Sequence, residues 1–93
     1  MEEAAPLYRE ALNGRRRILG DDHPNTLTSI NNMAVLLEAQ GKLKEAAPLH
    51  REVVDRSLRT LGDDHPRRSL YQSNWDRFQS KQEELRREES GLN

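Results

Sequence analysis

The hexapeptide LGDDHP occurs twice, at Leu19–Pro24 and Leu61–Pro66, and it holds the residues with the most obvious chemical potential in this chain. Aspartate and histidine ligate divalent metals. Asp21, Asp22 and His23 could therefore form the site of a small metal-dependent enzyme. Two features oppose that reading. Three adjacent side chains cannot all point at one ion without an unusual loop, and the second copy lies 42 residues further on, a spacing that puts it in a successive repeat. The flanking glycine and proline offer another role, punctuation between helices, and this is the preferred reading. No catalytic or metal residues are assigned, no cofactor is expected, and the chain is read as a non-enzyme.

Composition narrows the classes. The chain has 93 residues, a third of them charged, with 15 basic and 16 acidic side chains and a formal net charge of −1. No global field exists to draw in nucleic acid or an anionic membrane. The runs Arg15–Arg17, Arg67–Arg68 and Arg86–Arg87 do not alter this, because consecutive helical residues point in different directions. Without cysteine, disulfides, thiolate nucleophiles and cysteine zinc sites drop out. The opening MEEAAPLYRE lacks the apolar core of a secretory leader, and no apolar run approaches the ~20 residues of a membrane span. A soluble, cytoplasmic protein is expected. One small domain with a marginal core is all this length allows.

The elements around LGDDHP emerge from an internal duplication. An offset of 42 residues superposes 3–24 on 45–66 with 14 identities in 22 positions. Each copy has helical periodicity: Ala4, Tyr8, Ala11, Leu12 and Leu19 in the first, Leu43, Ala46, Ala47, His50, Val53, Val54 and Leu61 in the second. Gly20 and Gly62 then fall at helix C′ positions, where positive φ is common. Asp21, Asp22, Asp63 and Asp64 come next, placed to accept N–H groups of a loop or helix start. Pro24 and Pro66 suit a first turn, where the missing N–H costs nothing.

Between the copies, Leu27, Ile30, Ala34 and Leu37 make one apolar stripe, widened by Met33. Gly41 closes this helix, and so short a connection to Leu43 makes the two helices antiparallel neighbours. Thr28, Asn31, Asn32, Val35 and Ala39 lie roughly opposite the stripe. In a stacked array that face would line the inner groove, and the paired carboxamides offer donors and acceptors to a peptide backbone. A plainly solvated polar face accounts for the same residues equally well.

The stretch LTSINNMAVLLEAQGKLKEAAPLHREVV…LGDDHP resembles the 42-residue tetratricopeptide-type repeat of kinesin light chains and nephrocystin-3-like proteins. That repeat has an LNNLA helix, a QGKYEEAEPLY turn and helix, and an LGxDHP linker. The resemblance covers about 3–66. It implies an all-α, α-α solenoid that binds proteins, with Asn31 and Asn32 at the positions that contact the backbone of extended peptides in relatives. His50 departs from the tyrosine of PLY, which Tyr8 keeps. Gly14 interrupts the first helix, at about 1 kcal/mol in helix propensity.

After Pro66 the repeat dissolves. Residues 67–84 share two of 18 positions with 25–42, although Tyr71, Trp75, Phe78, Gln82 and Leu85 keep a heptad-like stripe. This segment is expected to cap the array, the alternatives being a partner-binding helix or an accidental tail. The expected organisation is thus 1–66 as one full repeat preceded by a second-type helix, and 67–93 as a divergent capping helix with a frayed end at 90–93. Four antiparallel helices are predicted at about 3–19, 25–40, 43–60 and 67–88. Their core is Tyr8, Leu12, Leu27, Ile30, Ala34, Leu37, Leu43, Ala46, Val53, Leu61, Trp75 and Phe78. The function expected is protein–protein interaction, with Thr28, Asn31, Asn32, Val35 and Ala39 as the peptide-binding residues. The alternative is a structural piece of a longer array, or a homo-oligomer formed by stacking repeats between chains.

Overall fold

A computed structural model describes residues 4–62 and 64–91. Its four helices are α1 (Ala4–Leu19), α2 (Pro24–Ala39), α3 (Leu43–Thr60) and α4 (Pro66–Gly91), and no strand occurs among the described residues. Each helix packs on the next in chain order, with α2 and α3 forming the most intimate pair. The result is a thin slab of 49 × 34 × 15 Å, the shape of helices laid side by side.

The α2–α3 turn shows how locally the chain is instructed. Gly41 takes φ +78°, a conformation that costs a side-chain-bearing residue roughly 1–2 kcal/mol. Its N–H donates to the Glu38 carbonyl at 3.0 Å, and the Lys42 N–H reaches back to the Leu37 carbonyl at 2.9 Å. These two bonds satisfy carbonyls that the helix end leaves open and reverse the chain in three residues.

The two LGDDHP copies end their helices differently. Gly20 has the expected positive φ, +90°, with its N–H bonded to the Arg16 carbonyl at 3.1 Å. Gly62 does not. There the helix stops one residue sooner, because Leu61 is already extended at φ −112°, ψ 146°. The expectation of a left-handed glycine at both copies is corrected accordingly. Asp63 lies outside the described residues.

The core runs through the middle of the slab. Leu27, Ile30, Met33, Ala34, Leu37, Ala46, Val53 and Phe78 are fully or almost fully buried, joined by Leu12, Leu36, Val54 and Tyr71. Helix α2 is buried on nearly every side, as an inner helix flanked by α1, α3 and α4 side chains must be. Leu43, Leu61 and Trp75 are only half-buried, packed against the core from its margin. Tyr8, expected in the core, is 44% exposed, because α1 packs chiefly on α2 and Tyr8 lies to the side of that contact.

Helix α4 occupies the place where a further repeat would begin, and its sequence explains why it differs from α2. Tyr71 and Phe78 are buried, and Trp75 meets the Phe78 ring edge-on at 6.0 Å between centroids. At the positions equivalent to Leu27, Ile30, Ala34 and Leu37, α4 carries Ser69, Gln72, Asp76 and Gln79. Gln72 donates to Asp76 at 3.0 Å across this polar surface. One face of α4 therefore seals the core and the other meets solvent. The helix runs three residues beyond its expected end, to Gly91, so 90 and 91 continue it; 92 and 93 lie outside the described residues.

Candidate functional site

The histidines of LGDDHP are helix caps. His23, at φ −64° and ψ 138°, is the N-cap of α2, and its Nδ1 accepts the Asn25 N–H at 3.0 Å. His65 repeats this before α4, accepting the Arg67 N–H at 3.1 Å. An imidazole here does what Ser or Asp commonly does, satisfying one orphan donor of the first turn. Sequence reasoning gives that role to the aspartates.

Asp21 and Asp22 instead face arginines. Arg16 donates to Asp21 at 2.8 Å and, through two nitrogens, to both oxygens of Glu52 at 2.7 and 2.8 Å. Arg56 donates to Glu52 at 2.7 Å and to Asp22 at 3.0 Å. The network ties α1 and the first linker to α3, two equivalent helices of successive copies. Hydrogen bonding from Arg16 first, then Arg56, outweighs burial and holds the Glu52 carboxyl below its ordinary value. The same contact with Glu52 raises Arg16. Among the described residues no cluster of three His, Asp or Glu side chains converges as metal ligands would: the DDHP side chains diverge, two toward arginines and one toward a backbone N–H.

The expected groove residues fall into two groups. Asn31, Asn32, Val35 and Ala39 line one concavity of about 440 Å³ together with Leu36 and Tyr8. Tyr8 and Asn32 continue into a second depression of about 240 Å³, bordered by Ala11, Arg15 and Ser29. The trough thus runs between α1 and α2. Thr28 is not part of either lining; its hydroxyl donates to the Pro24 carbonyl at 3.1 Å and accepts from Arg67 at 3.0 Å. Asn31 is only 8% exposed, and its Oδ1 accepts from Asn74 of α4 at 3.0 Å. Asn32, Val35 and Ala39 are exposed, so Asn32 is the carboxamide available to a ligand.

Tyr8, Ala11, Arg15, Ser29 and Leu36 are the lining residues that sequence reasoning misses. Periodicity assigns Tyr8 to the core, and its exposure is a consequence of how α1 packs. Arg15 donates to the Asn25 carbonyl at 3.0 Å and to Ser29 Oγ at 2.7 Å, which fixes a cation at one end of the trough.

A buried polar cluster joins α2, α3 and α4. His50 is 0% exposed; its Nε2 is 3.1 Å from Glu38 Oε1, which also accepts from Arg77 of α4 at 2.9 Å. The His50 ring packs 5.1 Å from that of Phe78. Its Nδ1 has no partner among the described residues, so the neutral ring donating through Nε2 leaves only a lone pair unsatisfied. Burial pushes the His50 pKa down, opposed by the Glu38 contact.

Antiparallel helices packed in chain order and duplicated at a fixed period define an α-α helical repeat protein. The tetratricopeptide repeat family matches residues 1–58, and the chain belongs to that family. No curated protein matches it. Repeats of this family are general protein-interaction modules, typically without catalytic activity. No helix among the described residues is long and apolar enough to cross a membrane.

Proposed function

We propose that the chain binds an extended peptide segment of a protein partner in the trough between α1 and α2. The observation that carries this reading is the convergence of Tyr8, Asn32, Val35, Leu36 and Ala39 on one open concavity. Its lining is apolar enough to take a side chain, and Asn32 supplies a donor and an acceptor for a main-chain amide. Thr28 has no part in this reading. Asn31 acts indirectly, by fixing α4 through Asn74. The resemblance to kinesin light chain repeats supports the choice of an extended peptide over a folded surface.

The test is a selection of peptides from a random display library on the intact chain, with affinity measurements on variants afterwards. Asn32→Ala should weaken selected peptides about tenfold, the value of one or two hydrogen bonds, with the melting temperature unchanged. Val35→Glu should abolish binding. Selected peptides that bind both variants as tightly as the parent would reject the groove.

A further inference from the structure

Helix α4 is clasped to the rest of the chain over a histidine. It packs chiefly on α3, where the Phe78 ring lies 5.1 Å from that of His50. The residue before it, Arg77, donates at 2.9 Å to Oε1 of Glu38 in α2, the same oxygen that faces His50 Nε2 at 3.1 Å. One imidazole from α3 therefore stands where α2, α3 and α4 meet, and two consecutive residues of α4 close over it. Bonds from Arg67 to Thr28 and from Asn74 to Asn31 complete the attachment.

The internal duplication sets this position apart. Forty-two residues earlier the same place in α1 is taken by Tyr8, a side chain that stays neutral across the range in which imidazole changes charge. The titrating group stands at the copy over which α4 packs.

A neutral ring suits these surroundings and a charged one does not. His50 is fully buried, and its Nδ1 has no hydrogen-bond partner among the described residues. A neutral imidazole donating from Nε2 leaves only a lone pair there, whereas an imidazolium buries an N–H with no acceptor. Its neighbours on its own helix, Ala46, Ala47, Val53 and Val54, are apolar. The charged groups that face it are Glu38 of α2, which favours the proton, and Arg77 of α4, which opposes it and already shares that carboxylate. Burial outweighs the Glu38 contact. Lifting α4 removes Phe78 and Arg77 together and admits water to the ring, which then protonates near its ordinary value of about 6.5. The lifted state accepts a proton that the docked state resists, so lifting becomes easier as pH falls below about 6.5. Leu12, Leu27, Ile30, Met33, Leu37 and Ala46 hold α1, α2 and α3 together without α4.

We infer that α4 is an acid-released closing helix: protonation of His50 frees it from α3 and α2, uncovering Tyr71, Phe78 and the α3 surface beneath them, while α1, α2 and α3 stay folded. A second histidine acts on the same helix from outside. His65 caps its first turn through Nδ1, a role open only to an unprotonated nitrogen, so the experiment separates the two.

Amide hydrogen exchange of the intact chain at about pH 7.5 and 5.5, corrected for the intrinsic pH dependence of exchange, reads the opening of each helix. Amides of 71–78 should lose protection severalfold at the lower pH, about tenfold being the limit for one proton over this range. Those of α2 should change less than about twofold. The lone tryptophan, Trp75 of α4, should shift its emission to the red with the midpoint of the His50 ring titration followed by NMR, a comparison that needs no variant. His50→Gln should leave α4 equally protected at both pH values. His65→Asn, which keeps a capping acceptor without an imidazole, should retain the response. Protection lost equally from all four helices, no loss at the lower pH, a response that persists in His50→Gln or vanishes in His65→Asn, or a Trp75 midpoint apart from that of His50 would each overturn the inference.

Discussion

At the residue scale, the buried His50 is the most consequential side chain. Its native pKa is held below the ordinary imidazole value by burial, so the unfolded chain takes up a proton at higher pH than the folded one. The stability that a neutral His50 contributes is fully present above the unfolded value of about 6.5, and is lost as pH falls below it toward the depressed native value. Protonation would also leave an Nδ1–H without an acceptor. Thermal melts between about pH 7.5 and 5.5 should show a falling midpoint, and His50→Gln, which keeps a donor toward Glu38, should flatten that slope. Glu52 behaves similarly in a lower window. Its pKa is depressed chiefly by Arg16, so its contribution is present above the ordinary carboxylate value and disappears as pH drops from there through the depressed native value. Glu52→Gln should cost roughly 1 kcal/mol at neutral pH in a denaturant titration, a modest figure because the network is partly solvated. His23 and His65 illustrate why residue-level reading stops short. Their cap geometry depends on backbone angles and on which ring nitrogen turns inward, neither of which residue type reveals.

At the element scale, helix existence and order are legible. Glycine, proline and three-to-four periodicity mark all four helices, and Gly41 is a turn signal that means what it says. Gly41→Ala should lower stability by about 1 kcal/mol through its positive φ, measured by chemical denaturation, whereas the same change at Gly62, where φ is not positive, should cost much less. The identity of LGDDHP does not guarantee identical geometry. The helices on the far side of each copy differ, α2 being apolar and α4 mostly polar, and α3 ends through an extended Leu61 where α1 ends through a left-handed Gly20. The aromatics of α4 point to a capping role, and its buried Phe78 and solvent-facing Gln72, Asp76 and Gln79 are consistent with that proposal. Phe78→Ala should destabilise the chain by about 3–5 kcal/mol, as removal of a buried aromatic does. If α4 were an independent tail, the melting curve would scarcely move.

At the scale of the whole molecule, the slab presents a trough between α1 and α2. The trough is half legible. Helical angles put Asn31, Asn32, Val35 and Ala39 on one face of α2, and they do line one concavity. The other wall comes from Tyr8 and Arg15, which only the packing of α1 against α2 brings there. The same packing exposes Tyr8, and the approach of α4 buries Asn31 and draws Thr28 toward Arg67; these are long-range consequences that no local pattern encodes. They also change the design of a binding test: a double Asn31/Asn32 variant would disturb α4 as well as the groove, so Asn32 alone is the clean probe. The central claim is that this trough receives a peptide. The most direct measurement is a backbone amide NMR titration of the intact chain with a library-selected peptide. The account predicts shifts concentrated at Tyr8, Asn32, Val35, Leu36 and Ala39, with the amides of the α3 and α4 outer faces unmoved. A selected peptide whose shifts map to those outer faces, leaving the trough silent, would contradict it.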